Sequence, residues 1–135
     1  MVEDRITDGR RIAELLASEV DGREDGHLGD LEIADPDRDV EPTPDGARAY
    51  AVSFSAEPDR TGDRLARAFV HPERVRLEFD RGVDATVEAA GDVGLRVRPK
   101  ATTPPKTLVF VESGAEVKRA TDVIQAACGS CNESR

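Results

Sequence analysis

The sequence predicts an α+β domain: a mostly antiparallel sheet of four to six strands with about three helices packed on one face. Two observations carry this. Strand-like runs with two-residue alternation follow one another through the middle of the chain instead of alternating strictly with helices. Segments with helical spacing of apolar residues stand at both ends and once between strands, giving the order α, a weak β, three strands, α, two strands, α.

Residues 4–20 read as an amphipathic helix, with Ile12, Leu15, Leu16 and Val20 on one stripe, Ile6 near its start, and Asp21-Gly22 as its stop. Residues 21–46 are turn chemistry, through Pro36, Pro42, Pro44 and Asp45-Gly46, with a short strand around Leu31 to Ile33. Arg48 to Phe54 alternates, placing Tyr50, Val52 and Phe54 on one face and Ala49, Ala51 and Ser53 on the other. After a turn at Asp59 to Asp63 come Leu65 to Val70, a tight connection at His71-Pro72-Glu73, and Arg74 to Phe79 with Val75, Leu77 and Phe79 inward; the three runs form an antiparallel meander. Val83 to Ala90 is a short helix ended by Gly91, and Leu95 to Arg98 a further strand. Thr107 to Val111 is apolar on both faces and belongs centrally in the sheet. Ser113 to Glu116 reads as a capping box opening a last helix, which buries Val117, Ala120, Ile124 and Ala127 and stops there. Residues 1–127 then form one domain and residues 128–135 a flexible tail.

Charge narrows the setting. The chain has 135 residues, a formal net charge of −9, and 28 acidic against 19 basic residues, of which only Lys100, Lys106 and Lys118 are lysines. An acid-rich, lysine-poor, aromatic-poor surface suits molar salt, where the Debye length is about 3 Å and carboxylates keep a chain hydrated. The start, Met1-Val2-Glu3-Asp4, lacks the basic and apolar regions of a secretory signal, and no run approaches the ~20 apolar residues of a membrane helix. A cytoplasmic, halophilic protein is expected.

Three segments, Val2 to Glu19 (VEDRITDGRRIAELLASE), Val40 to Ala47 (VEPTPDGA) and Leu95 to Lys118 (LRVRPKATTPPKTLVFVESGAEVK), together resemble an uncharacterised small-protein family of haloarchaea, a domain of unknown function. The resemblance covers most of the chain apart from Glu57 to Gly62 and the C-terminal tail. It implies a cytosolic haloarchaeal protein and brings no activity and no catalytic residues with it.

The most informative local feature is a basic island. From Val93 to Val111 there is no acid, while Arg96, Arg98, Lys100 and Lys106 contribute +4. Alternation in Leu95-Arg96-Val97-Arg98 puts both arginines on one sheet face, and Arg74 and Arg76 share a face in the same way. If those strands are close, four arginines crowd one surface, with hydroxyls from Thr102 and Thr103 in the neighbouring loop. Guanidinium forks grip carboxylate or phosphate bidentately. The bland alternative is pairing with Glu78, Asp80 or Glu112 on an ordinary solvated strand face. Four Phe and one Tyr are too few for base stacking along a single strand.

Other features say less. Cys128-Gly129-Ser130-Cys131 has redox or half-zinc spacing, but it follows a helix end, where the dipole opposes thiolate, and His27 and His71 are distant in sequence. Zinc shared across a homodimer is the best version of a metal role. Asp35-Pro36-Asp37-Arg38-Asp39 starts like a calcium loop, but Val40 stands where glycine is required and Gly46 where the bidentate glutamate belongs. Asp4 and Asp8 lie one turn apart, as a solvated face or a complement to the helix dipole. No nucleophile elbow, phosphate loop or zinc-protease pattern occurs.

The expectation is a non-catalytic binding module without a cofactor, meeting an anionic ligand, a nucleic acid or a protein through Arg74, Arg76, Arg96, Arg98, Lys100, Thr102, Thr103 and Lys106. The alternatives are a small enzyme built around His71 and an acid, and a metal or redox role for Cys128 and Cys131.

Overall fold

The computed structural model describes residues 8–22, 31–34, 36–37, 39–54, 63–100 and 106–133. Asp4, Ile6, His27, Asp35, the turn before Asp63, and Thr102 and Thr103 lie outside the described residues.

Among the described residues, three α-helices and six strands make up an α+β fold: α1 (Gly9–Gly22), β1 (Leu31–Ala34), β2 (Ala47–Phe54), β3 (Asp63–Val70), β4 (Val75–Phe79), α2 (Val83–Asp92), β5 (Arg96–Lys100), β6 (Lys106–Val111) and α3 (Val117–Glu133). The strands form one sheet in the order β1-β2-β3-β4-β6-β5, every neighbouring pair antiparallel. β6 is interior, flanked by β4 and β5, as its two-sided apolar pattern predicts. β5 is an edge strand, a place where Pro99 fits a ladder without a lost bond.

The helices pack on one face. Ile12, Leu16 and Val20 of α1, Ala90 of α2, and Ala120, Ile124 and Ala127 of α3 form one buried cluster with Val75, Leu77 and Phe79 of β4 and Val109 and Val111 of β6. Ala51, Leu108 and Phe110 are also buried but lie outside that cluster, on the opposite face.

Two bulges adjust the alternation. The β2–β3 register skips Ala49 and Leu65, so Ala49 joins Tyr50 in the core instead of sharing the face of Ala51 and Ser53. Tyr50 can then reach across and donate from its hydroxyl to the Ala13 carbonyl at 2.8 Å.

Helix ends depart from expectation in three places. α2 runs through Gly91 and stops at Gly94, which takes φ +75°; the Leu95 N–H reaches the Ala90 carbonyl and the Gly94 N–H that of Gly91, a Schellman closure. Before α3 the chain makes a single 3-10 turn, Gly114–Glu116. Ser113 gives no side-chain cap there, and the Glu116 carboxylate accepts from the N–H of Glu112 at 2.7 Å, one residue earlier than a capping box requires. α3 continues through Glu133 instead of stopping near Ala127, because Cys128 falls on its buried stripe and extends the core contact. Asp8 precedes α1 as a cap: its carboxylate accepts from the N–H of Arg10 at 3.0 Å.

Candidate functional site

The outer face of the sheet gathers the basic residues. Strand register sets Arg76 beside Phe110 and Phe110 beside Arg96, so the three form one row across β4, β6 and β5. The next row is Glu78, Leu108 and Arg98. Arg74 stands just before β4, its guanidinium 4.7 Å from the Phe110 ring centre. Arg74, Arg76, Arg96 and Arg98 therefore share a face, although β6 separates the two pairs. Lys100 and Lys106 sit directly opposite each other at the mouth of the β5–β6 hairpin. Like charges in that register repel.

Arg64 and Arg67 of β3 join this face, which the sequence reading missed. The signal was available in the alternation Arg67-Ala68-Phe69, which matches that of Arg74 and Arg76. Arg76 lies 4.5 Å and Arg67 5.6 Å from the Phe69 ring centre. Both outer phenylalanines are thus covered by guanidinium, which removes them as stacking platforms for bases.

The acids divide this surface in two. On the β3–β4 side the pairs are close: Arg64 to Asp80 at 2.7 Å, and Arg76 to Glu78 at 3.1 Å. Asp80 also meets Lys106 at 3.8 Å, and Glu78 meets Arg67 at 3.5 Å. Glu78 and Asp80 are only 13% and 16% exposed, so these pairs are shielded and hold the centre of the face in place. On the β5 side compensation is thin. Glu112 alone meets Arg96 at 3.5 Å and Arg74 at 4.0 Å, and Arg98 and Lys100 have no ion-pair partner among the described residues.

Beside Arg74 lies an open cleft of about 610 Å³ lined by Pro44, His71, Pro72, Glu73, Arg74 and Glu112. His71 is 6% exposed, and both ring nitrogens are engaged. Nδ1 is 3.0 Å from the Pro44 carbonyl, which can only accept, and Nε2 is 3.4 Å from the Arg76 guanidinium, which can only donate. The ring is therefore held as the neutral Nδ1–H tautomer. Desolvation by burial lowers its pKa below the ordinary 6.5, and the Arg76 and Arg74 charges lower it further against the opposing pull of the Pro44 carbonyl and Asp45.

The model of a family of unknown function, DUF7993, matches residues 1–135. The chain belongs to that family. No curated protein and no solved structure matches it.

Cys128 is buried in the core within α3, where its thiol is out of reach of solvent, and only the backbone of Cys131 is described. Among the described residues no group of three His, Cys, Asp or Glu side chains is placed to hold a metal. No described helix is long and apolar enough to cross a membrane.

Proposed function

We propose that this chain is a non-catalytic binding module that takes an anionic partner on the β5 side of its outer sheet face. The observation that carries the reading is the concentration of Arg74, Arg76, Arg96, Arg98, Lys100 and Lys106 on one sheet face of a chain whose net charge is −9. Two of these cations, Arg98 and Lys100, have no ion-pair partner among the described residues, although acids outnumber bases 28 to 19. Exposed strand faces ordinarily gain by alternating charge sign, so an uncompensated run stabilises nothing in the free chain. It does create a preset electrostatic footprint.

The cytoplasm of a high-salt cell is the setting the composition and the family resemblance support. There, long-range attraction is screened within about 3 Å, and affinity has to come from direct guanidinium contacts. An enzyme built on His71 is the weaker reading. A general base needs a free lone pair facing a substrate, and the His71 ring has committed one nitrogen to Pro44 and the other to Arg76.

Retention on immobilised heparin, eluted with a salt gradient, tests the proposal. Arg96→Ser with Arg98→Ser should elute at distinctly lower salt while melting near the wild-type temperature, since both side chains are exposed. Each lost charge-assisted contact corresponds to roughly tenfold in affinity. Unchanged retention in a folded double variant would remove the reading.

A further inference from the structure

Resting on that reading, we infer that Glu112 is an internal stand-in for a phosphate group, occupying the Arg74–Arg96 pair until a phosphate-bearing ligand displaces it.

The geometry separates this carboxylate from its neighbours on the same face. Glu78 and Asp80 each hold one close partner, at 3.1 Å and 2.7 Å, beside longer contacts of 3.5–4.0 Å, whereas both ion pairs of Glu112 among the described residues are long, at 3.5 Å and 4.0 Å. Good charge-assisted contacts between nitrogen and carboxylate oxygen lie at about 2.7–2.9 Å. Glu112 is also 41% exposed and Arg96 65%, so water competes for both. An ion pair this long and this wet is worth little and exchanges readily.

The mismatch has a stereochemical cause. Both guanidinia address the same oxygen, Oε2, through their NH1 atoms. Placed between cations on either side of β6, that one oxygen is close to neither. A tetrahedral phosphate presents several oxygens and can give each guanidinium its own. Arg74 lies over Phe110, and the ladder sets the Arg96 backbone opposite the same residue. Arg98, two residues along and without an ion-pair partner among the described residues, supplies the next positive charge for a ligand that continues past the first phosphate.

Glu112 marks the border between the cleft, which Arg74 lines, and Arg96 on the edge strand. Glu73 on the cleft wall and the neutral His71 offer an anion nothing, so the phosphate belongs on the Arg96 side. When it arrives, the Glu112 side chain swings out, while its backbone stays held by Glu116.

Calorimetric titration of the full chain with inorganic pyrophosphate and, separately, with a short DNA duplex tests this. Glu112→Gln should bind at least one of these probes roughly two- to fivefold more tightly than wild type, the worth of the exposed pair it removes. Arg96→Ser should bind that probe more weakly. Tightening with pyrophosphate identifies a small phosphate ligand, and tightening with the duplex alone identifies a nucleic-acid backbone. Glu112→Ala provides a second variant should the glutamine form fold poorly. Equal affinity of wild type and both Glu112 variants, with Arg96→Ser still weakened, overturns the stand-in and leaves the binding face intact. Tightening towards polyglutamate and towards neither phosphate probe overturns the phosphate assignment. Loss of heparin retention without any phosphate binding does the same.

Discussion

His71 shows how one residue couples stability to pH without any catalytic part. Its neutral ring is buried between an accepting carbonyl and a donating guanidinium. A proton on Nε2 would break the contact with Arg76 and place two cations together. The sign follows from the lowered pKa. The unfolded chain binds the proton at its ordinary 6.5, whereas the folded chain resists it until lower pH. The contribution to stability is complete above 6.5 and is lost as pH falls below it. His71→Asn should therefore flatten the pH dependence of denaturant midpoint between about pH 7 and pH 5. An equal slope in the variant and the wild type would show that other groups account for the loss.

Among elements, the seating of α1 is the most sharply constrained. Its first residue, Gly9, donates its N–H to the Pro72 carbonyl at 3.1 Å, locking the helix start onto the β3–β4 connection. A Cβ added there would collide with the His71 carbonyl oxygen and lie 2.7 Å from that of Arg74. Both are backbone atoms of a tight turn and cannot move aside. Gly9→Ala should thus destabilise by several kcal/mol, at the upper end for single substitutions, where anything above ~4 kcal/mol is exceptional. Chemical denaturation would measure it, and a loss below ~1 kcal/mol would mean that α1 can shift along the sheet. The same contact ties the helix layer to the outer face, because His71 on one side of that turn reaches Arg76 on the other.

For the molecule as a whole, charge is the dominant variable. A net charge of −9 on a 135-residue chain opposes compaction at low ionic strength. Raising salt from ~0.1 M to ~1 M shortens the Debye length from about 10 Å to about 3 Å and relieves that repulsion. The shielded pairs of Glu78 and Asp80 feel the change least, being short-range and mostly covered. The melting temperature should rise steadily with KCl over this range. A fall would mean that surface ion pairs outweigh net repulsion.

Much of the architecture was legible because its determinants are local. Alternation marked β2 and β4, the two-sided apolar run of β6 fixed its interior place, and the order of runs fixed an antiparallel α+β sheet. What failed locally were endings. Gly91 gave way to Gly94, and the expected stop at Ala127 gave way to Glu133, because packing against the rest of the core outweighed the local stop signals.

The chain on its own determined that Arg74, Arg76, Arg96 and Arg98 would each share a face with a neighbour two residues away, since side-chain direction in a strand repeats every second residue. Only the tertiary structure decided that β6 would stand between the two pairs, that Phe110 would lie at their centre, and that Glu112 would reach both Arg74 and Arg96. Strand order and cross-strand register depend on contacts between residues far apart in sequence, and no local pattern encodes which acid meets which base.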